Sequence, residues 1–133
     1  MSNKKILVIE DDADVRLGYN VLLKANNYDT CLAGDGVYAI SETLKQRPDL
    51  IILDLGLPAG DGYVVLKRLK ANPNFAVIPV IVVSGRDPHT NRELALKAGA
   101  SAYLQKPWDD FDLLATIREE LTHSGPPELQ SIH

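Results

Sequence analysis

The 133-residue sequence predicts an α/β fold, a doubly wound, five-stranded parallel sheet in the order 2-1-3-4-5 with five helices. Three observations point there. Short runs at residues 6–9, 50–53 and 80–83 are apolar without polar alternation and rich in β-branched residues, as central strands covered on both faces are. Two weaker runs, at 28–33 and 101–105, mix polar and apolar residues as edge strands do. Between the runs lie segments with helical periodicity.

The elements follow in order. The run at 6–9 leads through Glu10-Asp11-Asp12 into a helix at 15–25, whose Val15, Tyr19, Leu22 and Leu23 share a face. After the run at 28–33, a helix at 37–44 places Val37, Ile40 and Leu44 together. The strand at 50–53 precedes a helix at 62–70 that supplies Val65, Leu66 and Leu69. The strand at 80–83 precedes a helix at 93–98, stopped by Gly99. The strand at 101–105 precedes a helix at 111–121, with Phe111, Leu114, Ile117 and Leu121 facing inward. The mixed strands come second and fifth, so both belong at edges. With right-handed crossovers, strands one and three then flank the topological switch point. One domain is expected over 4–122. Residues 123–133, which include Ser124-Gly125-Pro126-Pro127, read as a C-terminal tail or linker.

Composition narrows the function classes. Apolar content of 45%, charged content of 24% and a net charge of −4 describe a soluble domain with no basic stripe for a polyanion, so direct nucleic-acid binding is not expected. The single cysteine, Cys31, excludes an intrachain disulfide and reads as a small buried apolar side chain. The apolar run behind Lys4-Lys5 is too short for a signal-peptide core or a membrane span. A reducing, cytoplasmic setting is expected.

In such a sheet, ligands bind beyond the carboxyl ends of the strands. Here those ends carry Glu10-Asp11-Asp12, Asp54, Ser84 and Lys106. Neighbouring strands lie about 4.8 Å apart. Two like charges about 4 Å apart repel by roughly 4 kcal/mol at an effective dielectric near 20. Such a cluster needs protonation or a hard divalent cation, and Mg²⁺ takes a few carboxylates together with waters and phosphate oxygens. Blander readings compete. Asp12, one step later, reads as the cap of the first helix. Ser84 alone could be a cap, Lys106 alone a solvated surface lysine, and Asp54 alone a turn aspartate. Convergence on one rim favours a site.

These strings resemble a family. Val8-Ile9-Glu10-Asp11-Asp12 looks like the acidic signature of response-regulator receiver domains of two-component signalling. Asp54-Leu55-Gly56-Leu57-Pro58-Ala59-Gly60-Asp61-Gly62 is similar to the segment around their phosphorylated aspartate. Ser84-Gly85 and Lys106-Pro107 resemble the hydroxyl residue with its small neighbour and the lysine with its cis proline. The resemblance implies a flavodoxin-like receiver fold and a phosphorelay role. Asp54 would be the nucleophile that takes a phosphoryl group from a histidine kinase or histidine phosphotransfer protein. Mg²⁺ would be held by Asp11 and Asp54, by Glu10 through water, and by the backbone carbonyl of Gly56. Lys106 and Ser84 would contact phosphate oxygens, and Gly85 would leave room for them. Ser84 and Tyr103 would then shift together and remodel a face of the fourth helix, fifth strand and fifth helix for a downstream effector. Beyond its own phosphorylation and dephosphorylation, no enzymatic activity is implied.

Further residues carry expectations. Tyr103 could instead be a static edge-strand residue. Trp108, at the start of the last helix, either packs or contacts a partner. Leu17 and Val21 lie opposite the inward face of the first helix and are expected to dock the phosphodonor. Gly56 offers no side chain over the site, and Arg86 is expected to influence phosphate lifetime. Rival readings are a flavodoxin-like cofactor binder, an aspartyl-phosphate phosphohydrolase and a non-phosphorylated pseudo-receiver. The first would need a Gly/Ser/Thr loop after strand one, and the second an acid where Gly56 stands. With no effector sequence in the chain, it reads as a stand-alone shuttle or an excised receiver.

Overall fold

In the computed structural model, which describes residues 3–57 and 62–123, strands and helices alternate strictly. They run β1 Lys5–Ile9, α1 Ala13–Ala25, β2 Asp29–Ala33, α2 Gly36–Gln46, β3 Leu50–Asp54, α3 Gly62–Ala71, β4 Val80–Ser84, α4 Pro88–Lys97, β5 Ala102–Gln105 and α5 Asp110–His123. All pairings are parallel and the sheet order is β2-β1-β3-β4-β5, as the apolar pattern predicts.

The strand periodicity of two splits each central strand between two cores. Leu7, Ile9, Ile51, Leu53 and Val82 face a layer built with Ala39, Val65, Leu66 and Leu69 of α2 and α3. Ile6, Val8, Ile52, Ile81 and Val83 face Tyr19, Leu23, Leu113 and Ile117 of α1 and α5. Because β1, β3 and β4 are covered on both sides, they are apolar apart from Lys5 at the start of β1 and Asp54 and Ser84 at the ends of β3 and β4.

Three expectations about helices need correction. In α2, Val37 and Leu44 point outward, 71% and 59% exposed. The inward face is Gly36, Ala39 and Thr43. Small residues let this helix approach the sheet closely, and Thr43 is buried without loss because its hydroxyl donates to the Ala39 carbonyl at 2.7 Å. In α5, Phe111 is 73% exposed and Leu113 takes the inward place. Helix α4 begins at Pro88, earlier than apolar periodicity suggested. Its first turn is polar, and the start is set by Asp87, whose carboxylate accepts from the His89 N–H, with Pro88 following. The Gly99 stop holds, with φ at +110°. The tail beyond His123 and the Pro58-Ala59-Gly60-Asp61 string lie outside the described residues.

Candidate functional site

Strand register assembles the site. Ile9 pairs with Leu53, so Glu10 and Asp54, one step further, leave neighbouring strands together. Asp54 pairs with Val83, which puts Ser84 just past it, and Ser84 pairs with Gln105, which precedes Lys106. Four strand ends therefore deliver their polar residues to one rim.

Carboxylate oxygens of Glu10, Asp11 and Asp54 all lie within 4.8 Å of one another. Glu10 is 1% exposed and Asp54 8%, while Asp11 faces solvent. The Lys106 ammonium answers this charge, at 2.6 Å from Glu10 Oε1 and 3.4 Å from Asp54 Oδ2. Burial pushes the Glu10 carboxyl up to about 7; the Lys106 hydrogen bond opposes this, and the hydrogen bond and charge of Asp54 add to it. Burial also works against the Lys106 ammonium. Its hydrogen bond to Glu10 and the charges of Asp54 and Glu10 outweigh that and hold Lys106 above its ordinary value.

The backbone around the acids is closely held. The Gly56 N–H donates to Asp54 Oδ1 at 3.1 Å. Asp12 is the α1 cap, its carboxylate accepting from the N–H groups of Asp14 and Val15. The Lys106–Pro107 peptide is cis. Ser84 is buried, and its Oγ accepts from the Arg86 N–H at 3.0 Å, so its own O–H remains a donor. Gly85 has open space where a Cβ would stand. Arg86 donates through Nη2 to the Leu55 carbonyl at 3.3 Å and so bridges β4 to the turn after Asp54.

Tyr103, on the edge strand β5, is buried, with its hydroxyl donating to the Arg86 carbonyl at 3.4 Å. Trp108 lies before α5 and packs, its ring stacked on Tyr19 at a centroid distance of 4.3 Å. Leu17 and Val21 are 59% and 63% exposed and, with Trp108, line one groove beside α1. Sequence reasoning missed Arg16, whose guanidinium reaches back to the acidic loop. No apolar period marks such a residue; its only signal is a cation one turn after three acids.

The donor set is all oxygen, with no histidine or thiolate, and one side is open to solvent. Such a set fits a hard divalent cation of the Mg²⁺ type. Three carboxylates and an ammonium at the carboxyl ends of a parallel sheet make a rim able to hold such a cation beside Asp54.

Comparison with known proteins agrees. Residues 6–118 match the response regulator receiver domain family, and the chain belongs to it. It is 32% identical over 131 residues to the DNA-binding response regulator MtrA of Mycobacterium tuberculosis, covering 97% of this chain and 56% of that protein. It is 37% identical over 124 residues to the response regulator MprA of a Mycobacterium species, covering 93% and 53%. The chain thus spans a little over half the length of these curated relatives. Among solved structures, a CheY-like receiver domain protein of Methanospirillum hungatei superposes with a TM-score of 0.86 at 27% identity, covering 92% of this chain and 97% of that one. The receiver domain of a Pseudomonas aeruginosa sensor histidine kinase superposes at 0.83 with 28% identity, covering 90% and 98%; that structure holds a magnesium ion in its active-site cleft. This membership favours the receiver reading over the flavodoxin-like cofactor-binder and phosphohydrolase readings.

Proposed function

We propose that this chain receives a phosphoryl group on Asp54 from a phosphohistidine of a histidine kinase or phosphotransfer protein, and that the resulting charge switches a protein-interaction face. One observation carries the reading: three carboxylates within 4.8 Å, with the Lys106 ammonium 3.4 Å from Asp54, at a topological switch point.

An Asp54 carboxylate oxygen forms the new bond to phosphorus as the bond from phosphorus to the donor imidazole nitrogen breaks. The imidazole keeps the bonding electrons and takes up a proton. Lys106 shifts toward a phosphate oxygen as a mobile point charge. The Ser84 O–H donates to another oxygen, and Gly85 leaves space for it. Asp11 and Asp54 would hold Mg²⁺ directly, Glu10 through water, and Gly56 through its carbonyl. When bound, the ion supplies charge neutralisation for the carboxylates and the incoming dianion. Beyond this self-directed chemistry the chain is not an enzyme.

Phosphorylation adds nearly two negative charges and three acceptor oxygens. Drawing Ser84 toward them pulls on Arg86, whose N–H it holds, and so on Tyr103, which bonds the Arg86 carbonyl. The α4-β5-α5 face follows and is read by an effector. The MtrA relatives are named as DNA-binding response regulators; here any nucleic-acid contact would belong to a separate domain. The working domain is taken as residues 4–122, with 123–133 a tail or linker, acting in the cytoplasm. Incubating the wild type and Asp54→Asn with acetyl phosphate and Mg²⁺ tests the reading by intact mass. One added phosphoryl group on the wild type alone is expected. No phosphorylation of the wild type would favour a pseudo-receiver that only binds proteins.

A further inference from the structure

We infer that Arg16 is a positioning residue for the cation site, and that Gly34 is glycine because the Arg16 guanidinium occupies the space beside it. The inference rests on the proposed Mg²⁺-dependent reading and names what holds its acidic loop in place.

Three successive carbonyls in that loop are taken by one residue. Arg16 Nη1 donates to the Glu10 carbonyl at 2.8 Å and to the Asp11 carbonyl at 2.9 Å. The Arg16 backbone N–H donates to the Asp12 carbonyl at 2.9 Å. The N–H of Asp12 in turn reaches Glu10 Oε2 at 3.3 Å. With its carbonyls turned toward α1, the loop presents the Glu10 and Asp11 side chains to Asp54. The acids cluster within 4.8 Å despite their mutual repulsion because the backbone beneath them is tied to a cation. Lys106 neutralises the cluster from the far strand, but it moves to the phosphate in the proposed reaction. Arg16 contacts no acid side chain in these hydrogen bonds and can stay in place throughout.

Gly34 supplies the second, independent observation. A Cβ built on Gly34, in the turn between β2 and α2, would stand 3.2 Å from Arg16 Nη1 and 3.7 Å from its Cζ. The nearest atoms are the end of a side chain, so an alanine is accommodated if the guanidinium shifts by a few tenths of an ångström. That shift draws on the carbonyl bonds. The β2–α2 turn, which no site residue occupies, is thereby coupled to cation binding.

The test is titration of Mg²⁺ alone into the wild type, Arg16→Lys, Arg16→Gln and Gly34→Ala by calorimetry. It is paired with amide hydrogen exchange on the metal-free proteins. Arg16→Gln is expected to weaken Mg²⁺ binding about tenfold, equivalent to about 1.4 kcal/mol. It should also speed exchange at Asp12, Asp14 and Val15. Arg16→Lys should recover part of the loss and Gly34→Ala should show a smaller loss of the same sign. Adding Gly34→Ala to Arg16→Gln should cost nothing further. Acetyl phosphate labelling of Arg16→Gln should return to the wild-type rate at saturating Mg²⁺, which a merely unfolded variant would not do. Wild-type affinity and exchange in Arg16→Gln would overturn the inference while leaving the phosphoacceptor reading intact. A wild type that neither binds Mg²⁺ nor takes label would overturn both.

Discussion

Glu10 is the residue at which burial and function conflict most sharply. It is almost fully buried beside Asp54, and its carboxyl is raised from 4.5 to about 7. A carboxyl whose folded value exceeds its unfolded one binds its proton more tightly in the folded state. Its stabilising contribution is therefore complete below about pH 4.5 and is lost as pH rises through 7. Thermal melts of the metal-free protein should show stability from this group declining across that window, and Glu10→Gln should flatten the decline. Mg²⁺ should restore stability at the upper end, because it binds only the folded state. Arg86 gives a second prediction at this scale. Its side chain spans from β4 to the Leu55 carbonyl, across the rim beside Asp54. Arg86→Ala should open that rim to water and shorten the aspartyl-phosphate half-life, followed as loss of label after the donor is removed. Hydrolysis at the wild-type rate would contradict this.

Among the elements, α3 and α1 make the clearest claims. Gly62 opens α3 against the turn that carries the site. A Cβ there would stand 2.5 Å from Leu55 Cα and 2.7 Å from the Asp54 carbonyl oxygen, both backbone atoms that cannot swing aside. Gly62→Ala should destabilise the fold by on the order of 1–3 kcal/mol, read from the denaturant midpoint. On α1, Leu17 and Val21 are exposed together on the groove that Trp108 completes. Replacing both with serine should slow transfer from a phosphorylated histidine protein and leave acetyl phosphate labelling unchanged. Equal slowing of both would remove α1 as the docking face. Elements also differ in how plainly the residue pattern marks them. Strands β1, β3 and β4 are legible because an unbroken β-branched run suits little besides a strand covered on both faces. Helical faces are less so. Val37, Leu44 and Phe111 have the right spacing but lie outward, because the sheet accepts Ala39 and Thr43 at close range and takes Leu113 in place of Phe111. Apolar residues say that a helix has a face, not which of two faces the sheet will take.

For the molecule as a whole, the rim of strand ends was more legible than the helix faces packed on the sheet. Each of Glu10, Asp11, Asp54, Ser84 and Lys106 stands at the end of a strand, so sheet order alone brings them to one rim. Arg16 and Gly34 were not legible, since side chain-to-carbonyl bonds across a loop leave no period in the sequence. Among the described residues, no helix is long and apolar enough to cross a membrane. The central claim is that this rim makes Asp54 the phosphoryl acceptor. Its most direct test is to label the protein with acetyl phosphate and Mg²⁺, reduce the acyl phosphate with borohydride, and sequence the peptides. The account predicts homoserine at position 54 and none in Asp54→Asn; homoserine at another position, or equal labelling of Asp54→Asn, would contradict it.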